Sequence, residues 1–233
     1  MKNTLICLTL LSLFAGCRAK NETDAMRKIL SYYGGRIDLS KNVNPTSGNE
    51  AKTGVYFTIK LDSTDLKKYF ETAEQPASNC AYLLYQELSK REKSNDSFIR
   101  VILSEYSKTP YEFRMETLHK VEQCIPALNR TIDCFKKGQY DVLASLFNPN
   151  IPTDALSAEK FREANLPIDS TYGKISSYVL EGFVNVDVDL GGRSLKLLRL
   201  AGYTVREKQN LNFNAVFDPD EKGKMLYGFS FRR

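Results

Sequence analysis

Four segments near the C-terminus constrain the fold most strongly, because their apolar residues alternate with polar ones. Alternation over about four to eight residues is typical of a strand with one buried face. Short segments rich in Gly, Asp, Pro and Asn, which favour tight turns, separate the four segments. Strands joined by short turns pair antiparallel. The sequence therefore predicts a four-stranded antiparallel meander, with strands within residues 184–188, 195–205, 211–217 and 227–231.

Helices are predicted immediately before this meander. Pro126 suits the first turn of a helix, where its missing N–H has no partner anyway. Gly138 suits the position after a helix end, where the backbone turns left-handed. The apolar spacing predicts helices at residues 126–137, 140–147 and 157–164. Helices followed by an antiparallel sheet define an α+β fold, and we expect the curved sheet to wrap around the helices.

The second half of the chain, roughly residues 124–233, resembles the NTF2-like or cystatin-like group of folds. The resemblance rests on the order of the elements, on the helix break in Phe135-Lys136-Lys137-Gly138-Gln139-Tyr140-Asp141, and on the final strand, Tyr227-Gly228-Phe229-Ser230-Phe231. It implies a cone-like sheet that closes around a pocket. Proteins of this group use such pockets for binding small ligands, for dimerisation and occasionally for catalysis, so fold alone does not fix function.

The N-terminus carries a different signal. Lys2 precedes an apolar run at residues 4–14, which is long enough for a secretory signal but too short to span a bilayer. Ala15-Gly16-Cys17 then resembles the lipobox of bacterial lipoproteins, although Phe14 stands where Leu is most common. The resemblance implies cleavage before Cys17 and attachment of fatty acyl chains such as palmitate to that residue. An ordinary secretory signal with an incidental thiol at Cys17 is the alternative.

This N-terminal signal sequence predicts a cell-envelope protein held on a membrane. After Cys17 no apolar run approaches the length that spans a bilayer, so the lipid bilayer is an expected partner only through the acylated cysteine. Arg18 stands where an Asp would retain some lipoproteins at the inner membrane, so we expect the outer membrane, on its periplasmic or surface face. Cys7 would be removed with the signal peptide.

The first half of the mature chain predicts a smaller α+β unit. Helices are expected at residues 24–33, 65–71 and 78–90, strands at 36–39, 55–61, 98–104 and 111–116, and a further helix from Thr117. Asp24 is placed to cap the first helix. The resulting division is a signal peptide at 1–16, a tether at 17–23, an N-terminal α+β domain at 24–123 and a C-terminal α+β domain at 124–233.

Charge and cysteine content restrict the partners and the chemistry. Lys and Arg number 33 against 28 acidic residues, but this excess is scattered, so we expect no nucleic-acid partner. Cys80, Cys124 and Cys134 remain after the anchor. Cys80 could pair with Cys124 or with Cys134, since the latter two are too far apart if they share a helix. Alternatively, all three are buried small apolar residues, which is the interpretation we favour.

We predict no catalytic residue, no metal site and no cofactor. His119 is the single histidine and has no evident nucleophile nearby, so we interpret it as a surface or capping residue. Segments 187–192 and 218–223 resemble fragments of calcium loops, yet Leu198 and Phe229 stand where the bidentate Glu belongs. Both are interpreted as hairpin turns. The common nucleotide, metalloprotease and hydrolase motifs do not occur in the sequence.

Aromatic residues are the remaining candidates for a binding site. The chain has 13 Tyr, 13 Phe and no Trp. Four tyrosines on the predicted sheet, Tyr172, Tyr178, Tyr203 and Tyr227, are the candidate ligand-binding residues, with a core role as the alternative.

The leading interpretation of function is a non-enzymatic, membrane-tethered module that binds an unidentified envelope ligand or protein. A small NTF2-like pocket enzyme using a buried carboxylate and tyrosines is one alternative, and a structural envelope protein is another. A cavity lined by a carboxylate and two tyrosines, with no apolar plug, would favour the enzyme. A sheet face filled by Phe213, Phe217 and Phe229 would favour the binder.

Overall fold

A computed structural model describes residues 20–44, 54–94, 97–151, 156–190, 193–221, 223 and 225–232. The predicted signal peptide and Cys17 lie outside these residues, so cleavage and acylation stay predictions. Within the described residues, no helix has the length and apolar character needed to cross a membrane.

The first half of the chain forms a mixed four-stranded sheet with helices against it. Its elements are α1 (Lys20–Tyr33), β1 (Arg36–Asn44), β2 (Gly54–Asp62), α2 (Leu66–Tyr69), α3 (Glu74–Glu87), β3 (Phe98–Leu103) and β4 (Tyr111–Arg114). The strand order is β1-β2-β3-β4, with β2 and β3 parallel and the other pairs antiparallel. Because parallel strands need a long crossover, α2 and α3 fill the connection between β2 and β3.

The second half places its helices first and its strands afterwards, as the sequence predicts. Its elements are α4 (Met115–Lys137), α5 (Tyr140–Leu146), α6 (Ala158–Tyr172), β5 (Ile175–Leu190), β6 (Arg193–Arg206), β7 (Leu211–Phe217) and β8 (Leu226–Arg232). The four strands pair antiparallel in chain order. The predicted α+β class and the antiparallel meander are therefore confirmed, whereas the NTF2-like resemblance stays a prediction.

Helix α3 is the element that both sheets share. Its residues from Pro76 to Tyr85 are all buried, which an amphipathic surface helix with a single packed face would not show. Ser78 on this helix lies against β5 of the second sheet, and Cys80 and Leu84 belong to the same hydrophobic cluster as the strands of the first. The buried residues of the two halves form one continuous cluster.

Helix α4 runs through the predicted domain boundary. Residues 123 and 124 lie within it, and Pro126 lies inside the helix, so the prediction that a helix begins at Pro126 is wrong. A proline in a helix interior costs about 3 kcal/mol. The apolar stripe of Leu118, Val121, Cys124 and Leu128 is nevertheless fully buried. Burial of this uninterrupted stripe outweighs the local cost of the exposed proline.

Several further element boundaries differ from the prediction, at α1 and α6 among others. Helix α1 begins at Lys20, so residues 20–23 are helical although they were predicted as tether. Ala25, in the second turn of this helix, is fully buried. Helix α6 continues to Tyr172, beyond the predicted end at residue 164, and its N-terminus is capped by Ser157, whose hydroxyl accepts from the N–H of Lys160.

Aromatic rings fill the face of the second sheet that packs against the helices. Phe135 of α4 lies with its ring centre 4.8 Å from that of Phe229, and Phe213 stacks on Phe229 at 5.8 Å. Phe213 and Phe217 are fully buried and Phe229 is half-buried. The concave space that the NTF2-like resemblance implies as a pocket is therefore occupied by this core.

A buried ion pair joins α6 to this sheet. The side chain of Arg206 is fully buried, and its Nη1 donates to Asp169 Oδ1 and to the carbonyl oxygen of Gly173, both at 2.8 Å. Its Nε donates to Thr204 at 3.1 Å. The guanidinium carbon also lies 4.9 Å from the ring centre of Phe231. This network fixes the C-terminal end of α6 on the sheet.

Candidate functional site

A β-bulge on the edge strand β5 directs one carboxylate away from the ladder. Leu180 pairs with Gly202 and Gly182 pairs with Ala201, so Glu181 is the extra residue between them. Bulges of this kind re-aim a side chain and often occur next to functional sites. Gly182 has φ +152, and a Cβ there would lie 2.2 Å from the carbonyl oxygen of Gln75 on α3. Glycine is therefore required where the strand meets the helix.

Glu181 lies between two adjoining cavities, and we name them the cage and the groove. The cage has a volume of about 350 Å³ and the groove about 670 Å³. The cage is lined by Tyr32, Tyr33, Asp65, Leu66, Tyr69, Phe70, Glu181 and Tyr203. The groove is lined by residues 69–72, Gln75, Glu181, Arg199, Ala201, Gly202, residues 212–214 and Arg232. Tyr69, Phe70 and Glu181 line both.

The groove has a polar floor on the face of the second sheet that is turned away from the aromatic core. Strand alternation places Arg199 and Ala201 on the opposite face from buried Leu200. The register pairs Ala201 with Asn214 and Asn212 with Arg232, so residues of three strands form this face. The segment between α2 and α3 forms the opposite wall. The site therefore lies where the first half of the chain meets the second sheet.

Two arginines in the groove are available to a ligand. Within the described residues, neither Arg199 nor Arg232 has an ion-pair partner. Arg199 is half-buried and Arg232 is exposed. Asn212 and Asn214 lie on β7, between the strand that carries Arg199 and the strand that carries Arg232. Their amide groups can donate and accept hydrogen bonds.

The carboxylate of Glu181 is poorly satisfied. Burial raises its pKa above the ordinary value near 4.5. Gln75 Nε2 donates to it over a long 3.4 Å, and among the described residues no Lys, Arg or His forms an ion pair with it. A partly buried carboxylate without a cation is costly, and such groups are characteristic of functional sites.

The aromatic walls of the cage are held by hydrogen bonds from outside it. The hydroxyl of Tyr33 accepts from buried Asn79 at 2.7 Å, and Tyr106 donates to the carbonyl oxygen of Phe70 at 2.6 Å. The rings of Tyr33 and Phe70 meet edge to face, with their centres 6.0 Å apart. Burial, and to a smaller extent the charge of Glu181, raises the pKa of both Tyr33 and Tyr203.

The structure does not bring the four candidate tyrosines together. Tyr203 lines the cage. Tyr178 lies on β5 facing the helices, where it donates to Asn129 Oδ1 at 2.7 Å and meets the ring of Phe213. Tyr227 is half-buried on β8. Tyr172 was predicted to lie on the sheet, and this is wrong, because it is the last residue of helix α6.

Glu181 was not predicted as a site residue, although the sequence around it indicates an irregularity in the strand. Glu181-Gly182 interrupts the apolar strand sequence Val179-Leu180 and Phe183-Val184. A glycine inside a strand indicates a bulge or the close approach of another backbone, and both are found here.

The remaining candidates lie on the surface or in the core. His119 is exposed on α4, where Gln123 lies 3.0 Å from its Nε2 and Glu122 3.4 Å from its Nδ1. Cys80, Cys124 and Cys134 are free and buried, as in the interpretation that we favour above. Among the described residues no cluster of His, Cys, Asp and Glu could hold a metal ion.

Comparison with known proteins finds no match. No family model, no curated protein and no solved structure matches this chain.

Proposed function

We propose that this protein is a bacterial lipoprotein held at a membrane surface by an acylated Cys17, and that its folded part binds a small polar ligand with an anionic group in the groove. The observation that carries the ligand class is the presence of two arginines, Arg199 and Arg232, without ion-pair partners in the described part of the chain. Guanidinium groups bind carboxylate and phosphate with paired, charge-assisted hydrogen bonds.

The filled face of the second sheet supports a binder whose site lies elsewhere than in the NTF2-like pocket. Phe213 and Phe217 are fully buried there as part of the hydrophobic core. The groove on the opposite face has a volume within the usual range of small-molecule sites, roughly 300–1,000 Å³. A membrane tether raises the local concentration of the module near other envelope components, so modest affinity suffices.

Labelling tests the anchor. Cells grown with a radiolabelled fatty acid should label the wild-type protein, and Cys17→Ala should lose the label and leave the membrane fraction. Cys7→Ala is the matched control, because the predicted signal peptide carries Cys7 away. Equal labelling of the Cys17→Ala variant, or unlabelled wild-type protein, would refute the anchor.

Calorimetric titration with inorganic phosphate tests the groove. We expect wild-type protein to bind phosphate, and Arg199→Ala to weaken binding about tenfold or more, because a hydrogen bond to a charged group contributes about 1.5–3 kcal/mol. Arg91→Ala is the matched control, since Arg91 is an exposed residue that lines neither cavity. Phosphate binding that Arg199→Ala leaves unchanged would contradict the proposal.

A pocket enzyme is the second candidate, because carboxylates and tyrosines line the cage and burial raises the pKa of Glu181. A carboxyl group with a raised pKa suits proton transfer near neutral pH. The neighbouring tyrosines argue the other way: the pKa values of Tyr33 and Tyr203 are raised too, and this makes their hydroxyls weaker acids. We therefore place binding before catalysis.

A structural envelope protein has less support. The exposed large apolar side chains of the described residues are Tyr32, Tyr69, Val142 and Leu166. Tyr32 and Tyr69 line the cage, and the other two lie on α5 and α6. Their placement points to a ligand cavity more than to a broad apolar contact surface.

A further inference from the structure

The cage has the lining of a site for an organic cation. Five aromatic rings and two carboxylates line it, and no Lys, Arg or His is among its lining residues. Aromatic faces carry negative potential and attract ammonium groups, and cages of such rings recognise methylated ammonium ligands. We propose that the cage binds an organic ammonium group beside Glu181, so that the ligand of the groove carries a cation and an anion. The second part of this inference rests on the proposed function.

The rings are arranged before any ligand arrives. Tyr32 and Tyr33 have ring centres 6.0 Å apart with planes tilted by 39°, and Phe70 stands edge-on to Tyr33. Tyr33 is fixed by Asn79, and the backbone at Phe70 is fixed by Tyr106. Side chains already held in place lose little conformational freedom on binding, which favours affinity.

Glu181 supplies the counter-charge. Its carboxylate is partly buried and has only the long hydrogen bond from Gln75 among the described residues. A bound ammonium group would give it the cation that none of the described residues provides, which offsets the cost of keeping this charge away from water. Asp65 adds a second negative charge at the cage wall.

Tyr69 contributes less to the cage than the other rings do. It is 69% exposed, and the ammonium group of Lys68 lies 5.1 Å from its ring centre. One face of this ring thus already has a cation. The walls that define the cage are Tyr33, Phe70 and Tyr203, which are half-buried.

The shared residues connect the cage to the groove. Tyr69, Phe70 and Glu181 line both cavities, so a ligand bound beside Glu181 can extend past it onto the floor that carries Arg199 and Arg232. The cage has two carboxylates and five rings, and the groove adds the two guanidinium groups together with the exposed carboxylate of Glu71. A small zwitterion with an ammonium group and a phosphate or carboxylate matches this distribution of charge.

Calorimetry with four probes tests the inference on the full-length protein in detergent. The probes are choline, its neutral analogue 3,3-dimethylbutan-1-ol, inorganic phosphate and phosphocholine. Choline should bind at least about tenfold more tightly than the neutral alcohol, because only the cation gains from the rings and the carboxylate. Phosphocholine should bind more tightly than choline or phosphate. Equal affinity for choline and the alcohol, or no binding of choline, would overturn the inference.

Variants identify the site. Tyr203→Leu should weaken choline binding about three- to thirtyfold, and Glu181→Gln should weaken it about tenfold or more. The matched controls are Tyr227→Leu and Glu163→Gln, whose residues line neither cavity. If Tyr203→Leu does not fold, Tyr32→Leu replaces it, because Tyr32 is 46% exposed. Choline affinity that these variants leave unchanged would place the cation elsewhere and overturn the inference.

The two proposals fail in different ways. Phosphate binding that depends on Arg199, together with no choline binding, overturns the cage and keeps the groove. Choline binding that depends on Tyr203, together with no phosphate binding, overturns the groove and keeps the cage as a separate cation site. Tyr203 does not line the groove, so Tyr203→Leu should retain the wild-type affinity for phosphate and thereby also report that the variant is folded.

Discussion

The backbone N–H of Phe183 donates to the hydroxyl oxygen of Ser78 at 2.8 Å, and this bond joins helix α3 to the edge strand β5. Ser78 in turn donates to the carbonyl oxygen of Gln75 at 2.9 Å. One hydroxyl thus satisfies an edge-strand donor and a first-turn carbonyl in a buried position. The contact holds the bulge at Glu181 against the segment that forms the wall of the groove.

Replacing Ser78 should destabilise the protein. Ser78→Ala leaves the N–H of Phe183 buried without a partner, which costs about 1–3 kcal/mol. Ser145→Ala is the matched control, because the hydroxyl of Ser145 donates to Val142 on an exposed part of α5. We expect that control to change the free energy of unfolding by less than about 0.5 kcal/mol. Urea denaturation measures both, and equal effects would contradict the assigned bond.

Adding one methyl group at Gly182 should be costly. The new Cβ would lie 2.2 Å from the carbonyl oxygen of Gln75, at a backbone φ of +152 that side chains rarely adopt. We expect Gly182→Ala to lower the free energy of unfolding by about 1–3 kcal/mol, the range typical of overpacking. Gly228→Ala is the control, since its nearest neighbour lies 3.7 Å away. A neutral Gly182→Ala would show that α3 and β5 separate easily.

The dependence of the free energy of unfolding on pH should reflect the ionisation of Glu181. Its pKa is higher in the folded protein than in the unfolded chain, because burial disfavours the charged form. At low pH the carboxyl group of Glu181 is protonated in both the folded and the unfolded protein. Stability is therefore lost as the pH rises through the pKa that Glu181 has in the folded protein. Glu181→Gln should match the wild type at about pH 3.5 and melt at a higher temperature at about pH 7.

Charged and phenolic groups from several elements line the cavities with Glu181. They include Tyr33 from α1, Asp65 and Glu71 on either side of α2, and Tyr203 and Arg199 from β6. Glu163→Gln is the control and should show no such divergence with pH. A Glu181→Gln variant that melts below the wild type at neutral pH would mean that the carboxylate has a stabilising partner.

Breaking the buried ion pair should be more damaging than breaking a surface pair. Asp169→Ala leaves the fully buried guanidinium of Arg206 without its counter-ion, which costs about 3–5 kcal/mol. Asp133→Ala removes the partner of Lys137, where both side chains are more than half exposed, and should cost less than about 1 kcal/mol. Chemical denaturation distinguishes the two, and similar costs would refute the structural role of Arg206.

Alkylation should distinguish the native from the denatured protein. Cys80 and Cys124 have no exposed surface, and burial raises the pKa of Cys124 to about 12 and that of Cys80 further. The thiolate is the reactive form, so iodoacetamide at neutral pH should leave both unmodified until urea is added. Mass spectrometry measures the labelling, and a disulfide or rapid native labelling of Cys80 would contradict the structure.

Most secondary structure was predictable because it depends on local patterns. Alternation predicted the meander from residue 184 to the C-terminus, and Gly138, with φ +65, ends α4 as predicted. Prediction was wrong at Pro126, where the local preference of proline conflicts with a buried stripe on α4. A stripe is buried only when the rest of the fold covers it, and local sequence does not contain that information.

The sequence by itself determined the α+β class and the order of the strands in the second sheet, because hydrophobic periodicity and turn residues act over short distances. Only the tertiary structure decided that aromatic rings fill the helix-facing side of that sheet and that Glu181 meets Tyr33 and Phe70. Those residues are more than 100 positions apart in the chain. Their meeting depends on how α3 packs against both sheets, which is a balance of long-range burial that no short segment specifies.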